Sequence, residues 1–184
     1  KLAFAVECFH KASLIHDDIE DDDDFRDGHS SFHSSAGIPI ALNTGDLLIG
    51  LGYTIISSLK SPPDKIQRIF SVAAEGHRNL CVGQGDELIL RKSKRIPSSR
   101  EILDIFRNKT SPAFEVALRI GAISGGGTLE LCSILKSYCV SLGIAYQIKD
   151  DIEDFTSFSY ANYENKIYSS IIFSIIFENT DEKG

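Results

Sequence analysis

An all-α fold is what this sequence predicts, on three observations. Apolar residues recur at helical spacing through most of the 184-residue chain. No stretch alternates apolar and polar residues as a convincing strand would, and there is no internal repeat. Helix punctuation (prolines, a glycine run, capping residues) falls between the apolar segments. The length suits one domain, residues 1–184, with a sizeable core.

Taken in order, the elements follow from local chemistry. The first helix is predicted from about Leu2 to about Asp21, and the second from about Pro39 to Leu59, stopping before Pro62-Pro63. The third begins near Pro63, which needs no N–H in a first turn, and reaches about Leu90. "RKSKRIPSSR" breaks the pattern, and the basic stretch Arg91–Arg95 reads as a solvated loop. Ser98 followed by Glu101 is a capping box that opens the fourth helix. Pro112, after "NKTSP", kinks or restarts it. "SGGGT", Ser124 to Thr128, is a turn. The clearest helix follows, with apolar positions Leu131, Ile134, Leu135, Tyr138, Leu142 and Ala145. In the tail, Ile167, Ile171, Ile172, Ile175 and Ile176 are spaced for one more packed helix.

Composition excludes several classes. A net charge of -7 argues against nucleic-acid binding, which needs a positive surface. No run of about 18 apolar residues predicts a transmembrane segment, and "KLAFAV" is too short for a secretory signal. Cys8, Cys81, Cys132 and Cys139 lack paired spacing and read as reduced, mostly buried thiols in a cytoplasmic setting.

Charge is concentrated in "HDDIEDDDDFRDG", His16 to Gly28. Eight of the eleven residues from Asp17 to Asp27 are acidic, opposed only by Arg26. Asp17 and Asp21 share a helix face, with Asp18 beside them. The spacing returns in "YQIKDDIEDF", Tyr146 to Phe155, where Asp150 and Asp154 share a face with Gln147 one turn earlier. Carboxylates at a helix C-terminus repel one another and oppose the helix dipole. A solvated helix end would account for one such run. Two copies with the same spacing point to a hard divalent cation that offsets both costs. Without His or Cys ligand spacing, Mg²⁺ with a diphosphate fits better than zinc, and the EF-hand pattern does not fit.

"SLIHDDIEDDDDFRDG", "GDLLIG", "GQGDEL", "KT" at Lys109-Thr110 and "YQIKDDIED" occur in that order over about residues 1–155. In this the chain resembles the trans-prenyltransferases, the polyprenyl diphosphate synthase family. The resemblance implies an isoprenoid synthase-type helical bundle around a central cavity. It also implies head-to-tail condensation of an allylic diphosphate with isopentenyl diphosphate. By the same resemblance Asp17 and Asp21 hold two of three Mg²⁺ ions, with Asp18 in support. Asp150 holds the third, backed by Asp151 and Asp154. Arg26 and Lys109 bind the allylic diphosphate, Thr110 and Gln147 flank the breaking carbon–oxygen bond, and His10 helps bind isopentenyl diphosphate. A homodimer or heteromer is implied as well. The smaller landmarks also have plain readings: His10 as a core histidine, Lys109 as a solvated lysine, Gln84 and Asp86 as interhelical hydrogen-bond partners, and Gly45 as close helix packing.

Counting back from Asp17, Ser13 lies one turn below and Phe9 two turns below, roughly 12 Å away at 1.5 Å per residue. In the family, bulky residues there stop chain growth early. Small Ser13 and Ala12 therefore predict a geranylgeranyl or longer product, with Phe9 as a floor; plain core is the other reading of Phe9.

Three departures bear on diphosphate binding. Arg26-Asp27 stands where the family usually has two arginines, and Asp27 would repel isopentenyl diphosphate. The upstream Gly-Gly-Lys-Arg-type segment is absent. The Gly-Lys loop after the second motif is not recognisable, with Lys166 a weak substitute. Family members are usually longer, so the resemblance leads one to expect a fragment, an incompletely represented protein or one subunit of a pair. Two functions remain: a prenyl diphosphate synthase, or a catalytically degenerate partner subunit that binds Mg²⁺–diphosphate. A terpene cyclase fits less well, because its second motif mixes Asn, Ser and Glu.

Overall fold

A computed structural model describes residues 1–156 and 167–181. The helices are α1 (Leu2–Asp21), α2 (Phe32–Ala36), α3 (Ile38–Ser57), α4 (Pro63–Ser93), α5 (Ser99–Lys109), α6 (Ser111–Ser124), α7 (Leu129–Thr156) and α8 (Ile171–Asp181). One antiparallel hairpin, β1 (Phe25–Arg26) with β2 (His29–Ser30), interrupts them. The expected all-α class therefore holds. The chain divides into two compact units, Lys1–Ala73 with Ile120–Gly126, and Ala74–Arg119 with Gly127–Gly184.

In the first unit α1 packs along α3. Most buried positions are small on both helices: Ala5, Cys8 and Ala12 on α1, and Ala41, Gly45 and Gly52 on α3, with Asp18 and Ile56 the exceptions. Small residues let the two backbones approach closely. A Cβ at Gly45 would fall 2.1 Å from His16 Nε2, and one at Gly52 would fall 2.5 Å from Phe9 Cε1. Gly45 is thus close helix packing, as its plain reading has it.

In the second unit Leu90, Ile102, Ile105, Phe106 and Ile171 form a core, flanked by Leu103, Ile144, Ile148 and Ile172. Burying an isoleucine side chain as fully as Ile102 contributes roughly 2–3 kcal/mol. The capping box is present as predicted, with Ser98 and Glu101 bonding each other's backbone amides. Arg95 also bonds the Glu101 carboxylate at 2.7 and 3.1 Å. These bonds, Arg95's foremost, hold the Glu101 carboxyl down at about 2. Lys136 lies 3.1 Å from Glu75, and Arg119 ion-pairs with the buried Glu115, clasping α4, α6 and α7.

The two-residue strands β1 and β2 meet at Asp27 (φ 53°) and Gly28 (φ 78°), a turn of the primed kind for which Asp-Gly is well suited. Three expectations need correction. The third predicted helix runs past Leu90 to Ser93, so Arg91 is helical rather than in a solvated loop, and it pairs with Glu87 at 3.1 Å. The break comes at Lys94, in the left-handed region at φ 51°. The apolar stripe read on α7 is largely exposed: Leu131, Ile134 and Tyr138 face outward, while Cys132, Cys139 and Gly143 are buried, because small residues permit closer contact. The tail helix starts at Ile171, not Ile167, and buries Ile171, Phe173 and Ser174 while Ile175 and Ile176 stay exposed. Lys166 lies outside the described residues.

By length and hydropathy alone α3 and α7 could cross a membrane (mean hydropathy 1.3 each), a property they share with ordinary core helices. Neither is a clear transmembrane segment: Asp46 interrupts α3, and Lys136 and the second acidic motif interrupt α7.

Candidate active site

In the first unit the acidic run is sorted by backbone geometry. Helix α1 ends because Asp22 takes the left-handed conformation (φ 56°, ψ 40°), its N–H returning to the Asp18 carbonyl. Asp24 anchors the next segment: its carbonyl accepts from Ser31 N at 2.8 Å and its carboxylate from Ser34 Oγ at 2.7 Å. The hairpin turn then folds Arg26 back over the end of α1. Arg26 Nε donates to Asp18 Oδ1 at 2.7 Å, its Nη2 lies 2.5 Å from the same oxygen, and Asp17 is 3.5 Å away. Asp18 is buried, and this bond raises the Arg26 guanidinium above its already high value. Asp18 is thus committed to Arg26. Asp17 and Asp21 are half-buried, one turn apart on α1.

Below them, Ser13 is exposed and its hydroxyl donates to the His10 carbonyl at 2.8 Å. His10 is exposed, which rules out the core-histidine reading. Ala12 is buried core at 1% exposure. Phe9 lies in an aromatic row: its ring centroid is 4.9 Å from Tyr53, which is 5.0 Å from Phe70.

The second unit brings together Lys109, Thr110 and Gln147. Pro112 cannot donate an N–H and its ring would clash with the carbonyl four residues back. Helix α5 accordingly ends at Lys109 and α6 begins at Ser111, leaving Thr110 as the hinge. Two glycines let neighbours close on this hinge. A Cβ at Gly83 of α4 would lie 2.3 Å from Lys109 N, and one at Gly143 of α7 would lie 2.6 Å from Ser111 Cα. One turn beyond Gly143, Gln147 Nε2 donates to Thr110 Oγ1 at 2.7 Å. Lys109 Nζ sits 2.7 Å from Glu87, so it is not a solvated lysine.

Glu87 is the site residue that the sequence reading missed. It is buried between Lys109 and Arg91. The interhelical bonding role considered for Gln84 and Asp86 belongs to Glu87 instead. Gln84 Nε2 is buried without a hydrogen bond among the described residues, and Asp86 is exposed. The signal was present in "GQGDEL": Glu87 lies four residues after Gly83, on the face that meets α5.

The second acidic motif occupies the last turns of α7. Burial raises the Asp150 carboxyl above its ordinary value, Glu153 and Asp154 add to this, and Lys149 opposes them. Such a carboxylate gains from a nearby cation. Asp151 bonds Ser170 and the start of α8. Among the described residues no group of three or more His, Cys, Asp or Glu side chains forms a metal cage. The donor set fits Mg²⁺ in another way: each motif offers one or two hard carboxylates, and Mg²⁺ commonly takes its remaining oxygens from phosphate and water.

Comparison with known proteins places these features in context. The polyprenyl synthetase family profile matches residues 1–169. Geranylgeranyl diphosphate synthase of Methanosarcina mazei is 34% identical over 155 residues, covering 84% of this chain and 48% of that protein. Farnesyl diphosphate synthase of Escherichia coli is 38% identical over 160 residues, 83% of this chain and 53% of that protein. The geranylgeranyl pyrophosphate synthetase structure from Pyrococcus horikoshii superposes with a TM-score of 0.86 at 31% identity, covering 99% of this chain and 57% of that one. The chain spans about half the length of the curated relatives it matches.

Proposed function

Because the chain belongs to the polyprenyl synthetase family, we propose that it is a prenyltransferase, part of one polyprenyl synthase domain, that condenses an allylic diphosphate with isopentenyl diphosphate head to tail. The observation that carries this reading is the hinge at Thr110, where a cation, a hydroxyl and an amide converge. Diphosphate leaves carbon readily only when its charge is neutralised. Mg²⁺, when bound by Asp17 and Asp21 and by Asp150 with Asp154, supplies Lewis-acid neutralisation of the diphosphate. Lys109 and Arg26 add fixed positive charge to the leaving group. As the bond breaks, carbon becomes an allylic cation. The Gln147 Nε2–Thr110 Oγ1 bond fixes both side chains, so the Thr110 oxygen and Gln147 Oε1 are preorganised dipoles for that cation. The isopentenyl double bond then attacks, and the departing diphosphate takes the proton. His10 contributes to isopentenyl diphosphate binding.

A geranylgeranyl or longer product follows from small Ser13 above Phe9. Association as a homodimer or with a partner subunit belongs to the proposal, supported by exposed apolar side chains on α3 and α7. So does a cytoplasmic setting, supported by a sequence whose cysteines lack paired spacing.

The test is a product assay with Mg²⁺, isopentenyl diphosphate and each allylic starter in turn, read as prenyl chain length. Elongation by one or more five-carbon units is the expected result. Retained Mg²⁺–diphosphate binding without elongation from any starter would instead assign the degenerate partner-subunit role, to which Asp27 lends weight.

A further inference from the structure

A helix begins with amides that have no acceptor within it. In α8 these belong to Ile171, Ile172 and Phe173, next to an almost fully buried Ser170. Ser170 Oγ accepts from Phe173 N at 3.4 Å and donates its own proton to Asp151 Oδ2 at 2.9 Å. The same Asp151 oxygen accepts from Ile172 N at 3.2 Å, and the Ile171 amide also bonds this carboxylate. Asp151 of α7 and Ser170 therefore jointly cap α8.

The far end of α8 repeats the device. Glu178 Oε1 accepts from Ser99 N at 2.7 Å, the first residue of α5. Between these two caps Ile171 sits in the apolar core with Ile102, Ile105 and Phe106 of α5, and Phe173 meets Phe155 of α7 edge-on at 5.9 Å. Helix α7 caps α8, and α8 caps α5. Helix α5 ends in Lys109 and α7 carries Gln147.

We propose that Asp151 is a positioning residue rather than a metal ligand: through it α8 clamps α5 on α7 and holds Thr110 against Gln147. The electrostatics favour this. A carboxylate in the last turns of α7 opposes that helix's dipole, and the positive N-terminus of α8 offsets the cost. The catalytic consequence rests on the prenyltransferase reading; the cap does not.

Four variants of the full chain separate the alternatives: Asp151→Asn, Asp151→Ala, Glu178→Gln and Glu178→Ala. An asparagine or glutamine oxygen still accepts amide protons, whereas alanine does not. Amide exchange of Ile171, Ile172 and Ser99 reads the caps directly, without any substrate. Asp151→Ala should lose about fivefold or more of the protection at Ile171 and Ile172, and Asp151→Asn should largely restore it. The Mg²⁺ concentration giving half-maximal binding of inorganic diphosphate should stay within about twofold in Asp151→Asn, whereas support of a metal would shift it about 10–100-fold. Glu178→Ala, remote from the acidic motif in sequence, should lower kcat without changing the Mg²⁺ requirement, and Glu178→Gln should recover it. Unchanged protection in Asp151→Ala, or a tenfold or larger Mg²⁺ shift in an Asp151→Asn protein with intact protection, overturns the proposal. If Asp151→Ala does not fold, Asp151→Asn and Glu178→Ala decide it. Were the chain to elongate no substrate, the exchange measurements would still judge the cap, so the two readings fail separately.

Discussion

Arg26 is bound to carboxylates on its own unit, and this determines what its loss would do. Arg26→Ala leaves the buried Asp18 charge without its guanidinium partner. Breaking such a pair costs about 3–5 kcal/mol when fully buried, and Arg26 is partly exposed, so denaturant titration should show a loss of about 2 kcal/mol. Glu101 gives a pH signature of opposite origin. Its folded carboxyl is held at about 2, below the unfolded value, so its contribution is fully present above the unfolded range and fades as pH falls toward the folded value. The stability difference between the wild type and Glu101→Gln should therefore be constant above about pH 5 and shrink steadily toward pH 2. A constant difference across that range would mean the Arg95–Glu101 pair contributes nothing through charge. Legibility at this scale was uneven. The acidic residues stood out in the sequence, but their division of labour did not. Which carboxylate meets Arg26 depends on the Asp27-Gly28 turn, and the dense acidic run around "FRDG" masked that hairpin signal.

Elements meet where side chains are small. At Gly83 an added Cβ would strike the backbone of Asn108 and Lys109, which cannot rotate away. Gly83→Ala should cost about 2 kcal/mol or more in stability and lower kcat by moving the Thr110 hinge, even though alanine favours helix intrinsically. Full activity in this variant would detach the α4–α5 contact from the chemistry. On α1, Phe9→Ala should lengthen the prenyl product and Ser13→Phe should shorten it, read by chromatography of chain lengths. Unchanged lengths in both would remove this helix as the ruler. The row through Tyr53 and Phe70 makes Phe9→Ala costly as well, by about 2 kcal/mol at its half-buried site. Helix positions were legible because capping and proline chemistry are local, as at Ser98, Glu101 and Pro112. The buried face of α7 was not. Hydrophobic spacing marks a stripe, but Cys132, Cys139 and Gly143 carry the contact, because closeness of approach decides the packing.

At the scale of the molecule, the all-α class and the family were both readable from ordered motifs, each weak by itself. The tertiary network around them was not, since Glu87 and Glu178 bond across long sequence separations that no local pattern encodes. The proposed function requires that the carboxylates of Asp17 and of Asp150 each contribute to binding Mg²⁺–diphosphate. Calorimetric titration of inorganic diphosphate in the presence of Mg²⁺ tests it most directly, on the wild type and on Asp17→Asn and Asp150→Asn. Either substitution alone should weaken binding by about tenfold or more, and omission of Mg²⁺ should abolish it. Binding that survives either substitution unchanged would contradict the claim.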